Sequence, residues 1–144
     1  MQTFAPYGDP HAVARVLDRQ RLGKQRVETL QILNTLVGNT KGWSNHPAVR
    51  MWRGYECALV RYGLAMCLAW TRKGYADTCK GKMLERVKHI GGELEVMTQP
   101  YPDWLDDARV HESHRSNLIR KDPNHYGKVW PLITPNLPYY WPVT

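Results

Sequence analysis

No apolar run in the 144-residue sequence approaches the ~18 residues needed to cross a bilayer. The opening stretch, MQTFAPYGDP, has neither a basic region nor an apolar core, so a secretory leader is not expected. Cysteine is scarce: Cys57, Cys67 and Cys79 are odd in number and form no CxxC pair. That argues against a disulfide framework and for reduced thiols in a cytosolic compartment. Phenylalanine occurs once, acids are outnumbered by Lys and Arg 13 to 20, and neither a sequence repeat nor strand-like alternation is found. Hydrophobic residues at 42% with charged residues at 23% exclude a disordered chain, and the length suits one domain spanning 1–144 with its own core.

What is present leans one way. The formal net charge of +7 suits a polyanionic partner, of which nucleic acid is the commonest. Aromatic residues are six Trp and eight Tyr. Rings with a polar handle favour half-wet surfaces, where they can stack on bases, although some must serve the core.

The periodicities are helical. Asp9-Pro10 is a capping acid followed by proline at the first helical position. From His11 one helix is expected to run to Gly38-Asn39, bent near Gly23, with Leu22, Thr29, Leu33 and Leu36 inward. Ala48–Gly74 reads as the longest helix: Val49, Trp52, Leu59, Gly63, Met66 and Trp70 form an apolar stripe on which Gly63 allows close approach of a neighbour. Glu56 falls on the same stripe and needs a partner or a cleft. A shorter helix is expected over Thr78–Ile90, broken by Gly91-Gly92, and another over Arg109–Lys121 before Pro123. The tail, 131–144, holds four prolines and must be extended. The expected fold is all-α: a single compact helical domain of long antiparallel helices with an extended, Pro/aromatic-rich C-terminal arm.

Two stretches carry chemistry. HESHRSNLIRKDPNHYGKVW, His111 to Trp130, holds seven cationic or potentially cationic side chains with Tyr126 and Trp130 among them. His111 and His114 are three apart, but HExxH spacing is absent and the cysteines are distant, so no metal is expected. An ordinary solvated helix is the plain alternative for such a charge run. Interleaved aromatics and cations instead suit sugar-phosphate and base contacts together. In RLGKQRVE, Arg21 to Glu28, Lys24 and Glu28 are four apart, which by pattern alone is a surface ion pair. A lone carboxylate ringed by phosphate-holding cations is the functional version.

Three segments together resemble the pyrimidine-dimer DNA glycosylase family, the endonuclease V type of phage repair enzyme and its bacterial relatives. They are Asp18, Leu22 and Glu28 in D-x-x-x-L-x-x-x-x-x-E, then NHPAVRMWRGYECALVRYGLAMCLAWTRKGY, then HESHRSNLIRKDPNHYGKVWP. The resemblance covers roughly residues 1–130. It implies a helical fold that cuts the glycosidic bond of a damaged pyrimidine and then nicks the strand at the abasic sugar. In the family the nucleophile is the N-terminal α-amine, here that of Met1 or of an exposed Gln2, and its partner glutamate is Glu28. As a class, α-amines near pKa ~7.7–8.0 are substantially neutral at neutral pH, whereas a lysine near ~10.4 is about 0.1% neutral. Lys24 is, by sequence, the nearest lysine candidate to substitute for the α-amine. DNA contacts are implied for Arg21 and Arg26 beside the glutamate and for Arg115, Arg120, Lys121, Tyr126 and Lys128 in the strip. Lys24, His46, His111 and His114 are placed on the same surface. The expected partner is double-stranded DNA, with no membrane, metal or cofactor, for a monomer in the cytoplasm at the nucleoid. Two rivals stay open: a non-catalytic DNA-binding module on the same scaffold, and an enzyme acting on a nucleotide-sized ligand.

Overall fold

The computed structural model describes residues 1–143; the last residue of the arm, Thr144, lies outside them. Asp9 starts the first helix as its spacing predicts: its carboxylate accepts the His11 N–H at 3.0 Å, and α1 spans Pro10–Val16. The chain does not continue to Gly38 as one helix. Leu17 and Asp18 are extended, and α2 begins afresh at Arg19 and ends at Leu36. The break comes from the far end of the sequence. Asp18 N–H donates to the Tyr126 hydroxyl at 2.9 Å, that hydroxyl bonds the Asp18 carboxylate, and Leu17 is buried. Gly23, where a bend was expected, serves packing: a Cβ there would lie 3.0 Å from the Trp70 ring.

The second long helix is also divided. α3 is one turn, Pro47–Arg50, and Gly54 at φ +86° separates it from α4, Glu56–Arg72. Only glycine adopts that backbone without strain. Glu56 thus opens α4, where its carboxylate accepts the Gly54 N–H at 3.2 Å. Further along, α5 spans Cys79–Val87 and the Gly91-Gly92 pair breaks the chain, but helix resumes at once as α6, Gly92–Thr98. Tertiary contacts overrule the glycines: Val96 is buried, its carbonyl accepts from Arg61 at 2.9 Å, and Gln99 Oε1 takes the Ala58 N–H of α4 at 2.7 Å. A 3-10 turn at Asp103–Asp106 precedes α7, Ala108–Lys121. Pro123 stops α7 as expected and then, capped by Asp122, opens a further helix, α8, Pro123–Val129.

α4 is the central rod, packed by α1, α2, α5 and α6. Leu59, Tyr62 and Met66 meet Leu22, Ile32 and Leu33 of α2, all fully buried. At Gly63 a Cβ would fall 2.6 Å from Met83 Sδ and 2.8 Å from Thr29 Cγ2, so the glycine permits the close approach of α2 and α5. Among the described residues there is no strand, and no helix is long and apolar enough to cross a membrane. From Pro131 to Val143 the arm has no helix and returns along α7: Asn117 Nδ2 donates to the Leu137 carbonyl, and the Ser116 and Ser113 hydroxyls accept the N–H groups of Leu137 and Tyr140.

Candidate active site

Residues 2–5 are almost fully buried although they form no helix, so each of their backbone groups needs a partner from elsewhere. The Gln2 N–H donates to Glu28 Oε2 at 3.1 Å. Three residues earlier on α2, the buried Gln25 amide donates to the Gln2 carbonyl at 2.9 Å and accepts the Phe4 N–H at 2.9 Å. The Tyr62 hydroxyl sits 2.6 Å from the Phe4 carbonyl and 2.7 Å from Gln25 Oε1. Trp52 Nε1 holds the Thr3 hydroxyl at 2.9 Å, His114 Nδ1 accepts the Ala5 N–H at 2.8 Å, and Arg115 Nε donates to the Pro6 carbonyl at 2.8 Å. α2, α4 and α7 thus fix the path of the first residues, and Gln25 and Glu28, one turn apart, present one helix face to them.

The segment emerges into a cleft of about 260 Å³ lined by Met1, Gln2, Arg21, Lys24, Glu28 and Lys121. A single carboxylate therefore shares the hollow with three cations. Burial pushes the Lys121 ammonium down from its ordinary range, and Arg120, Arg21 and Lys24 push the same way against Glu28. The Tyr139 ring, from the arm, closes one side, and burial raises its hydroxyl to about 12. A basic rim around one acid next to a pinned chain start can hold phosphates while a nucleophile and a carboxylate act at one carbon.

The structure gathers Met1, Arg21, Lys24, Glu28 and Lys121 at this cleft and places the other predicted residues elsewhere. Arg26 is turned to the opposite side of α2, paired with Asp77 and stacked 4.4 Å from the Trp70 ring centroid. That pair ties α2 to the start of α5, because Asp77 also accepts the Cys79 and Lys80 N–H groups. His114 and Tyr126 have no exposed surface, and therefore present nothing to a duplex. Their burial follows from contacts the helical wheel cannot show: the Ala5 amide for His114, and Asp18 for Tyr126. His111 Nε2 lies against the Leu105 carbonyl. Arg115 is stacked over Tyr7 and bound to Pro6, while Arg120 bonds Asn117 and keeps solvent access, as does Lys128. His46 caps α3 through Nδ1, and burial, with the α-amine charge adding to it, lowers its pKa. Gln25 and Tyr139 also line the cleft and were missed, whereas Gln2 is named from the sequence only as an alternative carrier of the amine. No charge or motif marks a glutamine that works by bonding backbone 23 residues away.

Burial of His114 lowers its pKa to about 3 from an ordinary 6.5, and the neighbouring His111 charge adds to the effect. The unfolded chain therefore binds the extra proton first, and stability contributed by the neutral ring is complete above pH 6.5 and is lost as pH falls toward 3. In urea titrations this group should contribute a slope of about 1.4 kcal/mol per pH unit within that window. A His114→Gln variant, compared with the parent at pH 7 and pH 5, should lack that increment.

A model of the family described as pyrimidine dimer DNA glycosylase matches residues 1–83 of the chain. The matched part contains Arg21, Lys24, Glu28 and His46; the strip from His111 to Trp130 lies beyond it. No curated protein and no solved structure matches the chain.

Proposed function

We propose, on the premise that the chain belongs to the pyrimidine dimer DNA glycosylase family, that it excises a damaged pyrimidine from double-stranded DNA and nicks the strand at the resulting abasic sugar. The observation that supports this reading is the meeting of the chain's start with one carboxylate, Gln2 N to Glu28 Oε2 at 3.1 Å, in a cleft rimmed by Arg21, Lys24 and Lys121. A free amine at this position, Met1's or Gln2's once Met1 is removed, attacks C1′. Its lone pair forms the C1′–N bond as the glycosidic bond breaks; the base leaves with the electrons of the glycosidic bond and takes up a proton, and the attached nitrogen gives one up. Opening of the C1′–O4′ bond gives an imine. Loss of a C2′ proton and cleavage of C3′–O3′ then expel the 3′ phosphate, and water releases the enzyme.

Glu28 steadies the positive charge that grows on the sugar and relays the later protons. Arg21, Lys24 and Lys121 hold the flanking phosphates, with Arg120 and Lys128 further out. The nucleotide reaches this cleft only by leaving the base stack. Lys121 is the competing amine, since its lowered pKa favours the neutral form.

Borohydride trapping on a duplex with an abasic site tests the reading. A covalent adduct is expected, it should map to the first residue of the chain, and N-terminal acetylation should remove it. An adduct that survives acetylation and maps to Lys121 reassigns the nucleophile; no adduct on either abasic or dimer-containing DNA overturns the enzymatic reading.

A further inference from the structure

Leu68, Leu94 and Met97 are 40%, 75% and 70% exposed. Single apolar side chains on a surface are ordinary, whereas several sharing one patch mark a place of contact. Leu68 and Met97 line the same groove of about 540 Å³, with Leu64, Ala65 and Thr71 of α4 and Lys80 of α5. Leu94 stands three residues before Met97 on α6, so the two share a side of that helix and Leu94 extends the apolar wall. The thioether of Met97 adapts its shape to what lies against it.

The margins of the groove are cationic. Arg61, Leu64, Leu68 and Arg72 follow one another along one face of α4 at three- and four-residue steps. The Arg61 guanidinium is fixed at one end of this row, donating to the Val96 carbonyl at 2.9 Å and lying 4.0 Å from the Tyr101 ring centroid. Arg72 is exposed at the other end. Lys80 is exposed too and forms no ion pair among the described residues. Among those residues the one acid in the lining, Asp77, is paired with Arg26 and accepts the Cys79 and Lys80 N–H groups. An apolar floor with free cations beside it is complementary to an apolar stripe edged by carboxylates.

Protein segments are captured in a few recurring ways, and the groove suits one of them. A docked strand needs a sheet edge, and the described residues hold no strand. A proline-rich segment needs an aromatic trough, and no Trp, Tyr or Phe lines this groove. A helix needs helical walls and an apolar floor, which α4, α5 and α6 supply. A second copy of the chain would set one net charge of +7 against another. We propose that this groove docks an acidic amphipathic helix of a partner protein, with its apolar stripe on Leu64, Leu68 and Met97 and its carboxylates facing Lys80 and Arg72. α2 presents Glu28 to the cleft and Arg26 to its other side, where the paired Asp77 lines the groove, so a docked helix leaves the cleft open. The inference does not rest on the glycosylase reading.

The test titrates the full chain against fluorescein-labelled synthetic peptides of about 15 residues, roughly four helical turns. The first carries Leu along one helical face and Glu on its flanks; the second has the same residues scrambled; the third has Lys in place of Glu. Anisotropy should saturate in the micromolar range with the first peptide alone, weaken as salt is raised, and persist when a saturating abasic duplex is present. Leu68→Glu and Met97→Glu, both at exposed positions, should each weaken binding about tenfold, the scale of one lost interface anchor, with urea midpoints close to the parent's. Lys80→Glu should weaken the acidic peptide as well. Equal binding of the scrambled or the Lys peptide, displacement by duplex, or unchanged affinity in both Leu68→Glu and Met97→Glu overturns the proposal. So does a concentration-dependent dimer of the unaltered protein that Met97→Glu abolishes, which would assign the face to self-association.

Discussion

Replacing Glu28 with glutamine is expected to slow base excision and strand nicking about 10²–10⁴-fold, the usual contribution of a positioned acid–base group. Binding to damaged duplex should stay within about threefold, because in the proposed function the rim cations rather than this carboxylate supply the salt-dependent affinity. The amide keeps an oxygen able to accept the Gln2 N–H, now bonded at 3.1 Å, so the path of the first residues should survive. What the proposed mechanism loses is the negative charge beside C1′ and the proton relay. Single-turnover rates on a pyrimidine-dimer duplex and on an abasic duplex, with anisotropy for binding, check both halves. The rival binding module predicts no activity in either protein and equal salt-sensitive affinity. The rival enzyme for nucleotide-sized ligands predicts that long duplex binds no better than a mononucleotide. Full activity of Glu28→Gln would remove this residue from the chemistry.

Gln25→Ala is expected to be the most damaging change that alters no charge. Its amide splices the chain start to α2, so truncation leaves the Phe4 N–H and the Gln2 carbonyl, both on buried residues, without that partner. An unsatisfied buried group costs about 1–3 kcal/mol, and the pair should lower stability by about 2–4 kcal/mol in urea unfolding. The Tyr62 hydroxyl retains the Phe4 carbonyl at 2.6 Å, which keeps the loss below that of a complete release. The catalytic consequence is larger than the thermodynamic one. A shift of about 1 Å in a reacting group can cost about 10²-fold in rate, and Gln25 sits one turn from Glu28 on the same face. Activity measured well below the unfolding midpoint should therefore fall about 100-fold, with binding to duplex nearly intact. If activity tracks only the folded fraction, Gln25 is structural and nothing more.

The particular failures of sequence reasoning share a cause. Helical spacing located α2, α4 and α7, because an apolar face repeated every three or four residues needs only local information. The same spacing ran through Leu17-Asp18 and Gly54 without a pause. At the first of these, the helix is interrupted by Tyr126, 108 residues away, and no local propensity encodes that bond. His114 and Tyr126 looked like members of a basic surface because their neighbours are cationic, and contacts with Ala5 and Asp18 drew them inside instead. Arg26 lies two residues from Glu28 in sequence and on another side of the helix, where Asp77 and Trp70 hold it.

By itself, the sequence determined that this chain is all-helical and basic, and its resemblance to a family of repair glycosylases, not the spacing alone, put Glu28 forward as a candidate. Those properties live in composition, periodicity and short motifs, each of which is local. Only the tertiary structure decided that the buried chain start reaches Glu28, that Gln25 holds it there, and that the arm brings Tyr139 over the cleft. These are hydrogen bonds and contacts between segments tens of residues apart, made only when the helices have packed, and a linear pattern carries no record of them.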